Sequence, residues 1–208
     1  MSKAKVKSEE TTSELEGMQL RPYKAIATLE ARSEVLVRKY HEEPKATGEK
    51  PGAYEERTWR EGLHFDENDN VVLPTIWFIK SLAEAAKMLS EQVPGKGKAT
   101  YTKHFTRGII VASPDIVLPF KKDDLPGKRI YVPADGRAGG STRVFRHFGC
   151  IQYWTGIIEY EVFDPVITHD VFLRTLHAAG AFIGIGAMRR QSGNMNGVYC
   201  VKDCKFVD

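Results

Sequence analysis

From Ala178 to Val201 the chain reads AAGAFIGIGAMRRQSGNMNGVYCV: an apolar helix end, a Gly/Asn loop around Arg189 and Arg190, then a closing strand. Gly184, Gly186, Gly193 and Gly197 allow positive φ and let backbone approach backbone, because no Cβ stands between. Such a segment must join one packed element to another, which sets the end of the fold as helix, loop, strand. The order is the reverse of the strand–turn–helix of a dinucleotide fingerprint and excludes that motif. Exposed N–H groups beside two guanidinium groups suit an anion or phosphate, with Gly186, Arg189 and Arg190 as the cradle. A long solvated hairpin-like loop is the other reading these residues allow.

The rest of the chain falls into order around that end. Tyr23 to Val37 reads as a first strand or a strand with a bulge. Residues 40–60 are polar with two prolines and two glycines, a surface insertion. His64-Phe65 and Val71-Val72 flank DENDN as a short hairpin. After Pro74, the apolar residues Ile76, Phe78, Ile79, Leu82, Ala83, Ala86 and Leu89 recur at helical spacing, and Pro94-Gly95 predicts a stop near Val93. Gly108 to Phe120 is strand-like but broken at Ser113-Pro114. Ile130 to Val132 is a short strand, and Thr142 to Phe163 holds one or two more. Asp164 or Thr168 can cap a last helix with the face Val171, Phe172, Leu176, Ala179 and Ile183, before a strand from Val198 to Val207.

Strand, helix, strand, twice over, predicts an α+β fold: a ferredoxin-like, RRM-like antiparallel sheet with two helices on one face and long loop insertions. One domain is expected over residues 21–208, with insertions near 40–60 and 120–142. Residues 1–20, rich in Lys, Glu, Ser and Thr, read as an arm that is disordered or ordered by a partner.

Composition narrows the class. Charged residues are 27%, hydrophobic ones 42% and the net charge is +3, values of an ordinary soluble globular chain. No apolar run approaches the ~18 residues of a membrane span, and no apolar core follows the first lysines as in a secretory signal. Three cysteines fit a reducing, cytoplasmic setting. Cys200 and Cys204, four apart in a strand, are expected on one face as buried thiols. Six scattered histidines form no metal motif. Asp66, Glu67 and Asp69 begin like a calcium loop, but Val71 and Trp77 stand where its glycine and closing Glu belong. No metal or cofactor is expected.

Basic segments carry more. Between Pro94 and Arg107 stand Lys96, Lys98, Lys103 and Arg107 with no acid, among Tyr101, His104 and Phe105. Between Lys121 and His147 stand Lys121, Lys122, Lys128, Arg129, Arg137, Arg143 and Arg146 against three aspartates. Locally basic, aromatic-laced loops suit a polyanion. The cations would neutralise phosphates, and Tyr101, Phe105, Phe145 or Phe148 could stack a base. Solvated loops and core aromatics are the alternative. Trp59, Tyr54 and Trp154 would be anchors if the partner were a protein, although Trp77 and Trp154 read first as core.

The helix ending in Ala179-Gly180, the GIG of residues 184–186, the arginine pair, the Gly/Asn loop and the closing strand together resemble the C-terminal glycine-rich element of the RAMP superfamily. The helix in LPTIWFIKSLAEAAKML, residues 73–89, is similar to the helix after the first strand region of such proteins. The resemblance covers residues 22–207 as a pattern of elements. It implies a ferredoxin-like, RRM-related subunit of the kind that forms the RNA-binding backbone of CRISPR effector complexes, or a stand-alone phage or prokaryotic relative. The insertions would then touch neighbouring subunits and RNA. Some relatives cleave RNA with a histidine near the first helix, a role that here falls on His41 beside Tyr40.

The leading expectation is therefore a non-catalytic protein that binds single-stranded RNA or DNA and self-associates along it, without a membrane. Metal-independent RNA cleavage through His41 with Tyr40 or a nearby lysine is the second. A structural assembly or protein-interaction subunit is the third.

Overall fold

The computed structural model describes residues 22–134 and 142–208. The strands are β1 (Tyr23–Ala31), β2 (Val35–Val37), β3 (Asn70–Leu73), β4 (Ile109–Val111), β5 (Ile116–Lys121), β6 (Gly127–Pro133), β7 (Arg143–Ile151), β8 (Thr155–Val162) and β9 (Tyr199–Val207). The helices are α1 (Pro51–Thr58), α2 (Ile76–Leu89), α3 (Thr102–Arg107) and α4 (His169–Ala178). The expected arm over residues 1–20, and Arg137, lie outside the described residues.

The main sheet runs β4-β8-β1-β9 with every neighbouring pair antiparallel. Two strand–helix–strand units, β1-α2-β4 and β8-α4-β9, interlock in it, as the order of elements predicted for a ferredoxin-like α+β fold. Alternation sets the core. Ala25, Ala27, Leu29 and Ala31 of β1 are buried under the helices, beside Ile158, Tyr160 and Val162 of β8. Phe78, Leu82 and Ala85 of α2 and Val171, Phe172 and Leu176 of α4 close the layer. Helix α2 stops at Leu89, short of the expected Val93, because Ser90 takes a left-handed φ of 49° and ends it. Thr168 caps α4 by accepting from the Val171 N–H.

After α4 the chain makes a π-helical turn over Ala179–Ile183, closed by the Gly184 N–H on the Ala179 carbonyl at 2.9 Å. Gly180 lies so near β9 that a Cβ there would stand 2.3 Å from the Tyr199 carbonyl oxygen. The Tyr199 hydroxyl donates to Ser81 Oγ at 3.3 Å, and Ser81 donates to the Ala179 carbonyl at 3.2 Å. A buried relay thus ties β9, α2 and the π turn.

The remaining strands form two smaller sheets. β2 pairs with β7, which pairs with β6, and β3 pairs with β5. Residues 40–60, expected as a polar surface insertion, contain α1, whose Glu55 and Thr58 are buried together with Trp59 just after it. Pro51 at the first helical position was its sequence signal. The DENDN tip is a hairpin, with Asp66 Oδ1 accepting from the Asn68 and Asn70 N–H groups.

Glu55 explains why α1 is there. Beyond Val37 the edge of β7 has lost its partner strand, and side chains replace the ladder. Glu55 Oε1 accepts from the His147 N–H at 2.8 Å and Arg38 Nη1 donates to the His147 carbonyl at 2.9 Å. Arg38 also grips the carboxylate at 2.6 and 3.1 Å, and Arg146 at 3.2 Å. Burial alone would push the Glu55 carboxyl up, but the His147 N–H, Arg38 and Arg146 hold it below its ordinary value. The network therefore stabilises the fold above the ordinary carboxylate pKa, and its contribution is lost as pH falls through the lowered value. Glu55→Ala should cost about 2–3 kcal/mol in urea unfolding at pH 7, below the ~3–5 of a fully buried pair because both arginines reach water. An unchanged midpoint would refute the ladder role.

One cysteine expectation is corrected. β9 carries a bulge where pairing to β1 shifts between Thr28 and Leu29, so that Ala27 faces Cys204 and Glu30 faces Cys200. Directly paired residues share a face. Cys204 therefore packs toward the core beside Ala27, while Cys200 lies on the opposite face, since the extra residue inverts the alternation.

Candidate nucleic-acid interface

β6 and β7 form a ribbon without a carboxylate in either strand. Its inner end packs on the core, where Gly127 admits the Trp59 ring and Gly149 admits Leu63 and Leu125. Toward its outer end that same face carries Arg129, Tyr131, Arg143 and Phe145. Tyr131 and Phe145 are opposite in register, with ring centroids 4.9 Å apart, and each is 51% exposed. Arg129 Cζ sits 4.1 Å from the Phe145 centroid and Arg143 Cζ 5.9 Å from that of Tyr131. Two guanidinium groups and two half-open rings thus share one surface. Of the predicted site residues, Arg143 belongs to this platform. Arg129 and Tyr131 were missed as site residues, although Arg129 stood in the basic run and alternation over Arg143-Val144-Phe145 pointed the same way.

The ribbon's other face meets the glycine-rich loop. Ile130, Val132, Phe148 and Leu36 pack with Ala187 and Met188. The loop's glycines serve these internal contacts. A Cβ on Gly186 would stand 2.6 Å from the Leu36 carbonyl oxygen, and the next N–H, of Ala187, donates to that oxygen at 2.7 Å. Gly197 donates to the Glu34 carbonyl and accepts from the Ile185 N–H. Glu34 in turn pairs with Lys128 at the ribbon base and accepts from Cys150 Sγ at 3.1 Å. The pairing and hydrogen bonds hold the Glu34 carboxyl below its ordinary value. Arg190 is exposed, touching Met195 Sδ at 3.0 Å, and Arg189 is half-buried. Arg190 lines a groove with Glu84, Lys87 and Met88 of α2, and Gly186 packs on β2, while Arg143 stands at the outer end of the ribbon.

Lys96, Lys98, Lys103 and Arg107 are elsewhere. All four are exposed, on the loop after α2 and on α3. α3 leads into β4, whose Ile109 pairs with Val162, which faces Tyr23 at the start of β1, whereas β2 and the ribbon follow its end. β1, nine residues and about 26 Å long, runs from the end beside α3 to the end that leads into β2. Tyr101, Phe105 and Phe148 are only 5%, 1% and 7% exposed and fill the core, so they cannot stack a base; Phe145 can. Trp59 and Trp154 are core as well, at 7% and 2%.

Arg146 spends one donor on Glu55 and keeps 39% of its side chain exposed. With Arg38, Lys39, Tyr40, His41 and Tyr54 it lines a hollow of about 410 Å³ beside the free edge of β7. His41 Nδ1 is buried there with no hydrogen-bond partner among the described residues.

The open face of the main sheet differs from a base-stacking sheet. Its residues on β1, β8 and β9 include Lys24, Ile26, Thr28, Glu30, Ile157, Glu159, Glu161, Asp203 and Lys205, without an aromatic ring. Lys24 pairs with Glu159 and Glu161, Lys202 with Glu30 and Lys205 with Asp203. Among the described residues, no helix is long and apolar enough to cross a membrane.

No family model matches the chain, and no curated protein matches it. Among solved structures, it is similar to a chain in a cryo-EM structure of the Type III-B Cmr-beta bound to cognate target RNA. The identity is 12% and the TM-score 0.48, over 100% of this chain and 68% of that one. A likeness this distant says nothing of what the present chain binds.

Proposed function

We propose that the protein binds single-stranded nucleic acid without cleaving it, and that the β6–β7 ribbon makes the principal contact. The observation that supports this reading is the half-exposed Tyr131–Phe145 pair between Arg129 and Arg143. Nothing described in the chain covers these rings, whereas the other stacking candidates are buried. Bases would stack on the rings while the arginines meet phosphates, and Arg189 and Arg190 would give a further phosphate contact on the glycine-rich loop. The second cationic group, Lys96, Lys98, Lys103 and Arg107, would receive a more distant part of the strand or that of the next copy.

Anisotropy with labelled RNA and DNA 20-mers tests this. For roughly three to five neutralised phosphates, affinity should fall about 20- to 130-fold between 50 and 200 mM salt. No binding of either strand at low salt would end the reading. Mass measurement with and without oligonucleotide decides self-association: oligomers that form without the strand, from a chain with no affinity for it, would favour a protein-interaction subunit instead.

Two smaller outcomes follow. Arg189→Ala with Arg190→Ala should weaken binding uniformly across sequences and flatten the salt slope by up to about two units. Stability should stay within about 0.5 kcal/mol; a lower melting temperature with binding intact would make the pair structural. RNA should also stay intact in EDTA. Among the described residues, His41 Nδ1 has no hydrogen-bond partner to orient its ring, and a general base needs such a partner. Cleavage that disappears in His41→Ala would overturn this.

A further inference from the structure

The hollow lined by Arg38, Lys39, Tyr40, His41, Tyr54 and Arg146 has a chemistry of its own. Three of its six lining residues are cations and none is a carboxylate. Glu55 beneath it is only one negative charge for two guanidinium groups, so Arg38 and Arg146 retain a net positive charge, and Lys39 stands at the border with a neighbouring hollow that Glu42, Glu43, Glu61 and Phe65 line. The buried carboxylate fixes both arginines in place, which leaves their remaining N–H groups pre-set rather than floppy. The other walls are rings. Tyr40 is 85% exposed at the mouth, and Tyr54 lies 6.0 Å from His41 between ring centroids. Tyr54 is itself pinned by donating to the Glu43 carbonyl at 2.6 Å. Buried His41 Nδ1 has no partner among the described residues.

A bare inorganic anion would meet the cations and leave the rings and the imidazole unused. A carboxylate peptide would not need three flat walls. An anion joined to a flat heterocycle uses both, and about 410 Å³ lies within the usual range of small-ligand sites. We propose that this hollow binds a nucleoside monophosphate group, its phosphate on Arg38, Lys39 and Arg146 and its base against Tyr40 and Tyr54, with His41 Nδ1 completing a hydrogen bond. The group is either a free mononucleotide or the terminal nucleotide of a strand lying on the ribbon, and only the second source rests on the function proposed above. Arg146 follows Phe145 on β7, so the hollow and the stacking platform share that strand but open on opposite faces of the ribbon.

The test titrates the full chain with AMP, adenosine and inorganic phosphate while following the His41 and Tyr40 side-chain resonances. AMP should shift both saturably, phosphate should compete, and adenosine should bind at least tenfold more weakly. Lys39→Ala keeps the backbone bond from the Lys39 N–H to the Gly62 carbonyl and loses an ammonium lying over the Phe65 ring at 4.7 Å, so it should fold normally and weaken AMP by about tenfold or more. No saturable shift of His41 by AMP, or equal binding by Lys39→Ala, overturns the site whatever oligonucleotides do. Comparison of 10-mers bearing a terminal phosphate or a hydroxyl then separates the sources: a preference for the phosphate that Lys39→Ala abolishes supports the strand end. AMP binding without any oligonucleotide binding supports the free-nucleotide site and refutes the ribbon reading alone.

Discussion

Gly197→Ala should destabilise the protein by about 3 kcal/mol or more, lowering the melting temperature by about 6–12 °C for a chain of this size. Gly197 has φ of 75°, where an L side chain costs about 1–2 kcal/mol. A Cβ there would also stand 2.0 Å from the Ile185 carbonyl oxygen and 2.8 Å from its nitrogen. The chain cannot relax without breaking two bonds, Ile185 N–H to the Gly197 carbonyl at 3.0 Å and Gly197 N–H to the Glu34 carbonyl at 2.8 Å. Gly193 supplies the control. Its φ is 80°, but nothing lies within 4 Å of a Cβ placed there, so Gly193→Ala should cost only the backbone strain. Equal melting temperatures for the two variants would show that the close approach is not what holds the loop. Because Glu34 also holds Lys128, loosening Gly197 should raise hydrogen exchange at the base of the ribbon as well.

The largest effect on binding is expected from Tyr131→Ala with Phe145→Ala. Each stacked base lost should cost about 1–3 kcal/mol, a drop of about 5- to 150-fold per ring. The rings are half in water and face no core residue, so the variant should unfold within a few degrees of the parent. The salt slope should hardly change, because no cation is removed. Arg129→Ala with Arg143→Ala should do the opposite, flattening the slope by up to about two units. Wild-type affinity in the aromatic variant would refute the platform and move the contact to the Arg189–Arg190 loop or to the Lys96–Arg107 group. The two pairs of substitutions therefore separate stacking from charge on one surface.

What could be read before folding was what is local. The apolar spacing from Ile76 to Leu89 and from Val171 to Ile183, and the alternation in GIIEYEVF, each reflect one element's own face, so element order and the ferredoxin-like sheet followed from them. The cationic composition of the ribbon was legible in the same way, as was Thr168 as a cap. The rest depends on partners far along the chain. β2 meets β7 more than 110 residues away and β3 meets β5 across more than 40; no periodicity encodes that pairing, so these strands were legible one by one but their partners were not. α1 shows no apolar face of its own, and is held by a carboxylate that replaces a missing strand at β7.

A bulge of one residue in β9 sent Cys200 away from the core and left Cys204 against it, which spacing alone had put together. The same limit decided the aromatics. Tyr101, Phe105, Phe145 and Phe148 all stand among basic residues, and exposure depends on whether another layer lands on them. α3 turns Tyr101 and Phe105 inward and the glycine-rich loop covers Phe148, while nothing described lands on Phe145. Residue types and their period thus determined the elements and the charge of the chain; which surface remains open was decided only by packing, because burial is a property of two surfaces and the sequence of one segment specifies a single one.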